Sequence, residues 1–349
     1  MEYITALALA AGISFILTPV VRAYAIRNGA VDRPDARKVH RLPLPRIGGI
    51  GITVAFVVTF LIYFDLNRQF YGLLGALLVL FIVGLIDDLR ELSAWQKLVA
   101  QIISACIALA GGLGIVYLAI PFGGTIALDG WRIPVELGMI SFNLLPIANL
   151  VSIIWIVGMI NTVNFLDGLD GLAAGVASIG AFVLFISALL PHINNPAVAL
   201  LAIILLGSLL GFLPHNFYPS SIFMGDSGAY VIGLLLALLS IYSSSKIAVG
   251  AIVFGIAILD ALWTVLRRIA SKKSPFMADR EHLHHRLLDS GLLSHREVVL
   301  VLYLLTLLVA FAVLYTSVLI ASVFVIASVV ATIMVLRIKA GSRNKRPKE

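Results

Sequence analysis

Long apolar runs, separated by short polar gaps, make up most of the 349-residue chain. Because a helix needs about 20 mainly apolar residues to cross a bilayer, these runs predict an all-α polytopic membrane protein. The eleven candidate transmembrane helices are 3–24, 48–64, 70–86, 98–119, 147–163, 169–190, 197–213, 228–244, 247–269, 298–317 and 319–337. Only a bend separates the last two, so ten spans is the alternative count. The first run has neither a basic start nor a small-residue cleavage site, which indicates a retained span rather than a signal peptide.

Lysine and arginine are distributed very unequally between the two sets of gaps. With the N-terminus outside, the inward segments hold 22 of these residues and the outward segments hold 3. Because cytoplasmic loops carry the excess of Lys and Arg, this asymmetry predicts an outside N-terminus and a cytoplasmic C-terminus. The net charge of +7 then lies on the cytoplasmic rim, where lipid head groups and anionic substrates meet it. Nothing in the chain predicts a nucleic-acid-binding fold.

The chain is expected to form one unit. We predict a single transmembrane domain over 1–337, which includes a cytoplasmic histidine loop at 270–297 and is followed by a basic tail at 338–349. One outward segment, 121–134, has apolar residues alternating around Asp129-Gly130. Because Asp-Gly between such runs is a hairpin signal, we expect a short extracytoplasmic β-hairpin there.

Acidic side chains gather at the predicted cytoplasmic ends of the spans. Asp87 and Asp88 end the third span, and Asp226 precedes the eighth with no Lys or Arg near it in sequence. Such carboxylates are costly at a membrane boundary unless water, a cation or a basic partner is present, and bound Mg²⁺ would satisfy them. A solvated helix end is the simpler alternative for Asp87 and Asp88. Asp260 lies deeper, and an ion pair with Arg267 is slightly favoured over a catalytic role.

A second polar group lies between the fifth and sixth spans. Asn164, Asp167 and Asp170 stand in a segment with two Asp-Gly pairs, which predicts turns at this junction. Hard oxygen ligands on a glycine-rich bend suit Mg²⁺ or a diphosphate that carries Mg²⁺. An ordinary polar loop is the alternative.

Two cytoplasmic loops carry cationic or imidazole side chains that suit an anionic ligand. The residues are Lys38, Arg46, Arg280, His282, His284 and His285. For the histidines, zinc is an alternative, but the spacing lacks a nearby Cys and does not match a structural zinc module. A plain surface loop is the other alternative, and for the loop around Arg46 a simple positive anchor is at least as well supported.

Four segments, taken together and in this order, carry a family resemblance. They are GLIDDL at 84–89, NTVNFLDGLDG at 161–171, FMGDSG at 223–228 and HLHHRLL at 282–288. The set resembles the polyprenyl-phosphate N-acetylhexosamine-1-phosphate transferases of glycosyltransferase family 4. The HxHH form is similar to the branch that starts enterobacterial common antigen, O-antigen and wall teichoic acid.

The resemblance implies a Mg²⁺-dependent enzyme of the bacterial inner membrane, with Mn²⁺ as a substitute. It would transfer N-acetylglucosamine 1-phosphate from UDP-N-acetylglucosamine to undecaprenyl phosphate and release UMP. By motif, Asp226 would bind the metal, with Asp167 near it, and Asp87 and Asp88 would be catalytic. Asp87 would deprotonate the lipid phosphate, although a covalent aspartyl-phosphate route is a competing possibility.

The resemblance also implies residues that bind the substrates. Asn164, Asp167 and Asp170 would hold the uridine and the groups near the metal, and the histidines with Arg280 would contact sugar and phosphate. Arg46 and Lys38 would be further anion contacts. A homodimer is left open.

Two other functions are open at this point. An intramembrane prenyltransferase also uses Asp-rich motifs and Mg²⁺, but its first motif would read DDxxD, whereas Leu89, Arg90 and Glu91 follow Asp88 here. An ion-coupled transporter needs ionisable residues near the bilayer midplane, and here they crowd one surface.

Overall fold

The computed structural model describes residues 1–32, 43–119, 124–137, 140–242, 250–251, 253–271 and 282–315. Within these residues the chain forms eleven helices and six short strands. The helices are α1 Glu2–Arg27, α2 Gly49–Tyr63, α3 Arg68–Leu89, α4 Ala94–Ala110, α5 Pro146–Leu166, α6 Leu172–Leu189, α7 Pro196–Asn216, α8 Gly225–Tyr242, α9 Gly255–Ala270, α10 Leu283–Asp289 and α11 His295–Tyr315. The strands are β1 Val31–Asp32, β2 Leu44–Pro45, β3 Tyr117–Ala119, β4 Thr125–Ala127, β5 Ile133–Leu137 and β6 Ile140–Leu144.

Most of the helices coincide with the predicted spans. In the described part of the chain, seven helices are long and apolar enough to cross a membrane, while α2 and α4 are apolar but shorter. The prediction of a helical multi-pass membrane protein is confirmed. The exact number of spans stays a prediction, because 319–337 and the tail at 338–349 lie outside the described residues.

The fourth predicted span is too long. Helix α4 ends at Ala110, and the chain continues through Gly111 and Gly112 into strand β3. Gly112 has a φ of 90°, a left-handed conformation that glycine adopts without a steric penalty. The apolar run therefore continues past the helix end because the strand that follows is apolar as well.

The position of the predicted hairpin is also wrong. Strand β4 pairs antiparallel with β3, and β5 pairs with β6, so Asp129-Gly130 connects two separate pairs instead of turning one. Arg132 forms an ion pair with Asp129, which stabilises this connection locally. The alternating pattern extends in both directions beyond 121–134, and this is why the short window placed the turn wrongly.

Helix α8 lies inside the bundle, packed against α3 and α5, and nearly all of its residues are buried. Two glycines allow neighbouring backbones to approach its first turn. A Cβ on Gly49 would lie 2.2 Å from the nitrogen of Gly228, and a Cβ on Gly84 would lie 2.5 Å from the Cα of Ser227. These close approaches place the first residue of α2 and the last two turns of α3 directly against the start of α8.

Candidate active site

The acidic residues predicted from sequence converge at one end of the bundle. Helices α3 and α5 end there, while α8 begins there, so chain segments far apart in sequence present their polar residues to the same region. The backbone of 45–49 is joined to 223–224 by three hydrogen bonds, from Phe223 N to Pro45 O, Gly48 N to Phe223 O and Gly49 N to Met224 O. This loop therefore belongs to the site.

Asp226, in the first turn of α8, accepts hydrogen bonds from three side chains. Asn164 Nδ2 donates to Oδ1 at 2.8 Å, and Tyr230 Oη and Lys97 Nζ donate to Oδ2 at 2.6 and 3.0 Å. The sequence suggested an unpaired carboxylate, because no cation is near Asp226 along the chain. That expectation is wrong, since the first turn of α4 supplies the cation.

Lys97 connects the two acidic motifs. Its ammonium group lies 2.6 Å from Asp87 Oδ2 and 3.0 Å from Asp226 Oδ2. Asp87 Oδ1 also accepts from the backbone of Leu92 at 2.8 Å, which closes the loop between α3 and α4. One positive charge thus stands between carboxylates of α3 and α8, and it offsets the repulsion that would otherwise separate them.

Asp88 has a different environment from Asp87. Its Oδ1 accepts from the backbone of Asp226 at 2.7 Å, and its Oδ2 accepts from the backbone and hydroxyl of Ser227 at 3.2 and 2.6 Å. These are the unpaired N–H groups at the start of α8, which carry the positive end of the helix dipole. Asp88 therefore caps α8 from the end of α3 and determines where Asp226 lies.

The predicted turns between α5 and α6 are present, and they hold Asp167 and Asp170. Burial raises the pKa of Asp167 well above its ordinary value of 3.8, and the charges of Asp226 and Asp88 raise it further. Asp170 Oδ2 accepts from the backbone of Ser220 at 3.0 Å. Asp167 thus belongs to the carboxylate cluster, while Asp170 faces the loop that leads to α8.

The histidine segment packs on this turn. The ring of His282 stacks on Phe165 at 5.1 Å, and the rings of His282 and His284 are parallel at 5.8 Å. His284 Nε2 would lie 2.4 Å from a Cβ on Gly168, so only a glycine allows this contact. Burial lowers the pKa of His284 well below its ordinary value of 6.5, and the neighbouring histidines lower it further. His284 is therefore neutral at physiological pH.

The other predicted site residues include His285 and Arg46, and one contact places each of them. His285 lies beside His284, with ring centroids 4.3 Å apart. The carbonyl oxygen of Arg46 would be 1.9 Å from a Cβ on Gly225, so the backbone of Arg46 abuts the start of α8. Lys38 and Arg280 lie outside the described residues.

Asp260, for which an ion pair with Arg267 was expected, has partners that the sequence did not suggest. Its carboxylate contacts the histidine segment, through His282 Nδ1 at 3.0 Å and the backbone of Leu283 at 2.9 Å.

Sequence reasoning missed two functional candidates. Lys97 was counted only as one of the inward positive charges, and nothing along the chain relates it to Asp226. Tyr230, in contrast, is four residues after Asp226, and the helical period places both on one face. That spacing was a usable signal.

The carboxylate oxygens at this site are of the kind that bind a hard divalent cation. Carboxylates of Asp87 and Asp226 converge on one positive group, the Lys97 ammonium, and the charge of Asp226 acts on Asp167 as well. Oxygen ligands of this kind are those that Mg²⁺ uses. Among the residues that the structure describes, however, no three acidic, histidine or cysteine side chains are already arranged as a metal site.

The fold and the site together define a multi-pass membrane protein with a half-buried cluster of carboxylates at one end. The family model of Glycosyl transferase family 4 matches residues 70–244, which include three of the four motifs. The chain belongs to this family.

Curated relatives support the same assignment. The chain is 34% identical to a protein of Bacillus subtilis named probable undecaprenyl-phosphate N-acetylglucosaminyl 1-phosphate transferase, with 83% of this chain and 78% of that protein covered. It is 35% identical to the decaprenyl-phosphate N-acetylglucosaminephosphotransferase of Mycolicibacterium smegmatis, with 86% and 79% covered. An undecaprenyl-phosphate alpha-N-acetylglucosaminyl 1-phosphate transferase of Thermotoga maritima is 26% identical, with 78% of each chain covered.

Proposed function

We propose that this enzyme transfers N-acetylglucosamine 1-phosphate from UDP-N-acetylglucosamine to undecaprenyl phosphate and releases UMP. Its family and the names of its relatives support a polyprenyl-phosphate acceptor and this sugar phosphate. The observation that carries the proposal is the bridge of Lys97 between Asp87 and Asp226 at the boundary of a membrane bundle. A lipid phosphate from the bilayer and a nucleotide sugar from the cytosol would meet at such a boundary.

The reaction joins two anions. An oxygen of the lipid phosphate forms a bond to the β-phosphorus of the nucleotide sugar, and the bond from that phosphorus to the bridging oxygen breaks. The electron pair of the broken bond stays on UMP. Because both reactants are negative, catalysis of phosphoryl transfer depends mainly on positioning and on positive charge at the reacting groups.

Lys97 is suited to supply part of that charge. Its ammonium has three protons and two carboxylate partners, so it is held in place and keeps donor capacity for a phosphate oxygen. Asp87 holds this ammonium and takes the remaining proton from a singly ionised lipid phosphate. A phosphate monoester has its second pKa near 6, so at neutral pH the base is needed for only a fraction of the molecules.

Mg²⁺, or Mn²⁺ in its place, would be held by Asp226 with help from Asp87 and Asp167, and it supplies further positive charge to the diphosphate. Asn164 and Tyr230 orient the Asp226 carboxylate for this task through their hydrogen bonds. In this scheme Asp88 contributes by holding the start of α8 instead of touching the reactants.

The other predicted residues are assigned to substrate binding. Asn164 and Asp170 would hold the uridine side of the donor. The groups assigned to the sugar and its phosphate are Arg280, His282, His284 and His285, and further anion contacts are assigned to Arg46 and Lys38. In this assignment the neutral His284 offers a hydrogen bond without adding charge.

The orientation belongs to the same proposal. With the N-terminus outside, the carboxylate end of the bundle faces the cytoplasm of a bacterial cell and the strand pairs β3–β4 and β5–β6 face outward, with eleven spans in the inner membrane. The product then enters a cell-surface polymer pathway at its first membrane step. A homodimer is compatible with this arrangement.

The test of the function is UMP release by the purified protein with undecaprenyl phosphate and a panel of UDP-sugars. Asp226→Asn should abolish Mg²⁺-dependent release while the protein stays folded in detergent. Asp65→Asn, which removes an exposed acid between α2 and α3, is the matched control and should be fully active. Full activity of Asp226→Asn would overturn the metal assignment, and a wild-type enzyme that uses only prenyl diphosphates would overturn the function.

A further inference from the structure

Asp260, in α9, binds the beginning of the histidine segment at two points. Its Oδ2 lies 3.0 Å from His282 Nδ1, and its Oδ1 accepts from the backbone of Leu283 at 2.9 Å. One carboxylate therefore controls both the ring of His282 and the first backbone N–H of α10. The transfer mechanism proposed above does not use Asp260.

Helix α10 needs such an external contact. It has only seven residues, and the His282 side chain makes no cap with its own helix. Isolated helices of this length are not stable in water, because too few hydrogen bonds form for the backbone freedom that is lost. Asp260 accepts from α9 the N–H of Leu283, which is one of the unpaired backbone donors at the start of α10.

From this anchor the contacts lead directly to the active site. His282 stacks on Phe165, which lies between Asn164 and Asp167 in sequence. His284, one helical position beyond Leu283, packs on Gly168, immediately after Asp167. A displacement of His282 would therefore shift the surface that covers the Asp167 turn.

We infer that Asp260 is a positioning residue that fixes the histidine segment over the Asp167 turn through His282 and the backbone of Leu283. This inference rests on the proposed function only for its kinetic consequence. Asp260 holds His282 with Nδ1 toward the carboxylate, so the other ring nitrogen is directed away from α9. The residue acts on the donor substrate through the histidines and does not touch it.

The experiment compares Asp260→Ala with Asp260→Asn and with Asp289→Ala. The asparagine keeps an acceptor for Leu283 and is the conservative rescue, whereas Asp289 is an exposed acid of the same α10 and is the matched control. Hydrogen exchange of the 282–289 peptide, measured without substrate, should become faster in Asp260→Ala and only slightly faster in Asp260→Asn. Asp289→Ala should match the wild type.

Kinetics then separate positioning from general destabilisation. In Asp260→Ala the KM for UDP-N-acetylglucosamine should rise by about tenfold or more, as for other residues that orient a ligand-binding histidine. The KM for undecaprenyl phosphate should stay close to that of the wild type, because the contacts of Asp260 lead to the histidine segment. His282→Ala should show the same change, and the double variant should be no worse than either single variant.

Unchanged exchange at 282–289 in Asp260→Ala would overturn the inference, as would effects that add in the double variant. If Asp260→Ala does not fold, the same comparison is made with Asp260→Asn, where intermediate exchange supports the inference and wild-type exchange with wild-type KM overturns it. Hydrogen exchange is measured without turnover. A wild-type protein that never releases UMP would therefore overturn the proposed function, and the contact of Asp260 with the histidine segment could still be tested.

Discussion

At the scale of single residues, the arrangement around Asp226 depends on partners that lie far away in the sequence. Lys97 and Asn164 come from two other helices, and Asp88 holds the backbone of Asp226 from a third. Only Tyr230 is a neighbour along the chain. The Lys97 ammonium contacts two carboxylates of this cluster, so its removal should have a large effect.

Lys97→Met should reduce UMP release by a factor of about 100 or more, since preorganised charge at a transferring phosphoryl group is worth roughly 3 kcal/mol. The substitution also leaves Asp87 and Asp226 facing each other without the ammonium between them. The measurement is initial rate at saturating Mg²⁺ and both substrates. Arg90→Met removes an exposed cation just beyond α3 and should be nearly neutral. Equal rates in the two variants would contradict this role for Lys97.

His284 makes stability depend on pH with a defined sign. Its pKa is lowered in the folded protein, while in the unfolded chain it is near 6.5, so the unfolded state binds the proton first as the pH falls. Above about pH 7 His284 is neutral in both states, so the folded protein keeps its full stability. Below about pH 6.5 the unfolded state takes up a proton that the folded state does not, so stability is lost progressively. Between pH 7.5 and 5.5 the free energy of unfolding should fall by about 1 kcal/mol from this residue.

The check on His284 is the pH dependence of the melting temperature in detergent. His284→Gln cannot take up the proton, so its melting temperature should fall less between pH 7.5 and 5.5 than that of the wild type. His192→Gln, at an exposed site between α6 and α7, should keep the full wild-type dependence. Parallel curves for the wild type and His284→Gln would refute the assignment.

At the scale of elements, close contact between helices decides where the site forms. Gly49 of α2 and Gly84 of α3 bring two backbones against the first turn of α8. In the sequence, Gly49 lies at the start of an apolar run and Gly84 lies inside another. What they permit depends on which helix packs opposite. The hydrophobic pattern of the spans carries little such information, because lipid-facing and buried positions are both mostly apolar.

Gly49→Ala should destabilise the protein by about 1–3 kcal/mol, because the new Cβ meets backbone and not a movable side chain. It should also reduce activity by shifting Asp226. The matched control is Gly158→Ala in α5, where a Cβ meets nothing within 4 Å. That variant should be neutral or slightly stabilising, since alanine favours helix more than glycine does. Thermal unfolding in detergent and UMP release of both variants provide the comparison.

At the scale of the whole molecule, helix directions alternate as a multi-pass protein requires. Helices α1, α3, α5 and α7 end on the side of the carboxylate cluster, and α2, α4, α6 and α8 begin there. Contacts at the opposite end include Arg68 with Ala110 and Tyr242 with Gly112. The distribution of Lys and Arg predicts which of these ends is cytoplasmic.

This orientation predicts a labelling pattern. In a Cys106→Ala background, which removes the only cysteine, His192→Cys should react with a membrane-impermeant maleimide in intact cells. Asp289→Cys should react only after the membrane is opened, because it lies on the side of the active site. The reverse pattern would place the carboxylate cluster outside. Both positions are exposed in the structure, so a missing reaction reports the membrane and not burial.

Hydrophobic pattern and charge were sufficient to predict most helices and an orientation, while the residues that converge on the site were predicted without Lys97 and Tyr230. Span-length apolar runs can only form helices in lipid, and positive charge stays on the cytoplasmic side, so both features can be read locally. Strand pairing at 117–144 was predicted only in part, since the true partners lie beyond the short alternating window.

Only the tertiary structure revealed the partners of the acidic side chains. Asp87 and Asp88 are adjacent and chemically identical, yet one contacts Lys97 and the other caps α8, because successive residues of a helix point about 100° apart. Likewise Asp260 contacts His282, which lies 22 residues away and outside helix α9. Hydrogen bonds and ion pairs act over about 3 Å, and that separation is set by how helices pack, which residue type and spacing along one helix do not specify.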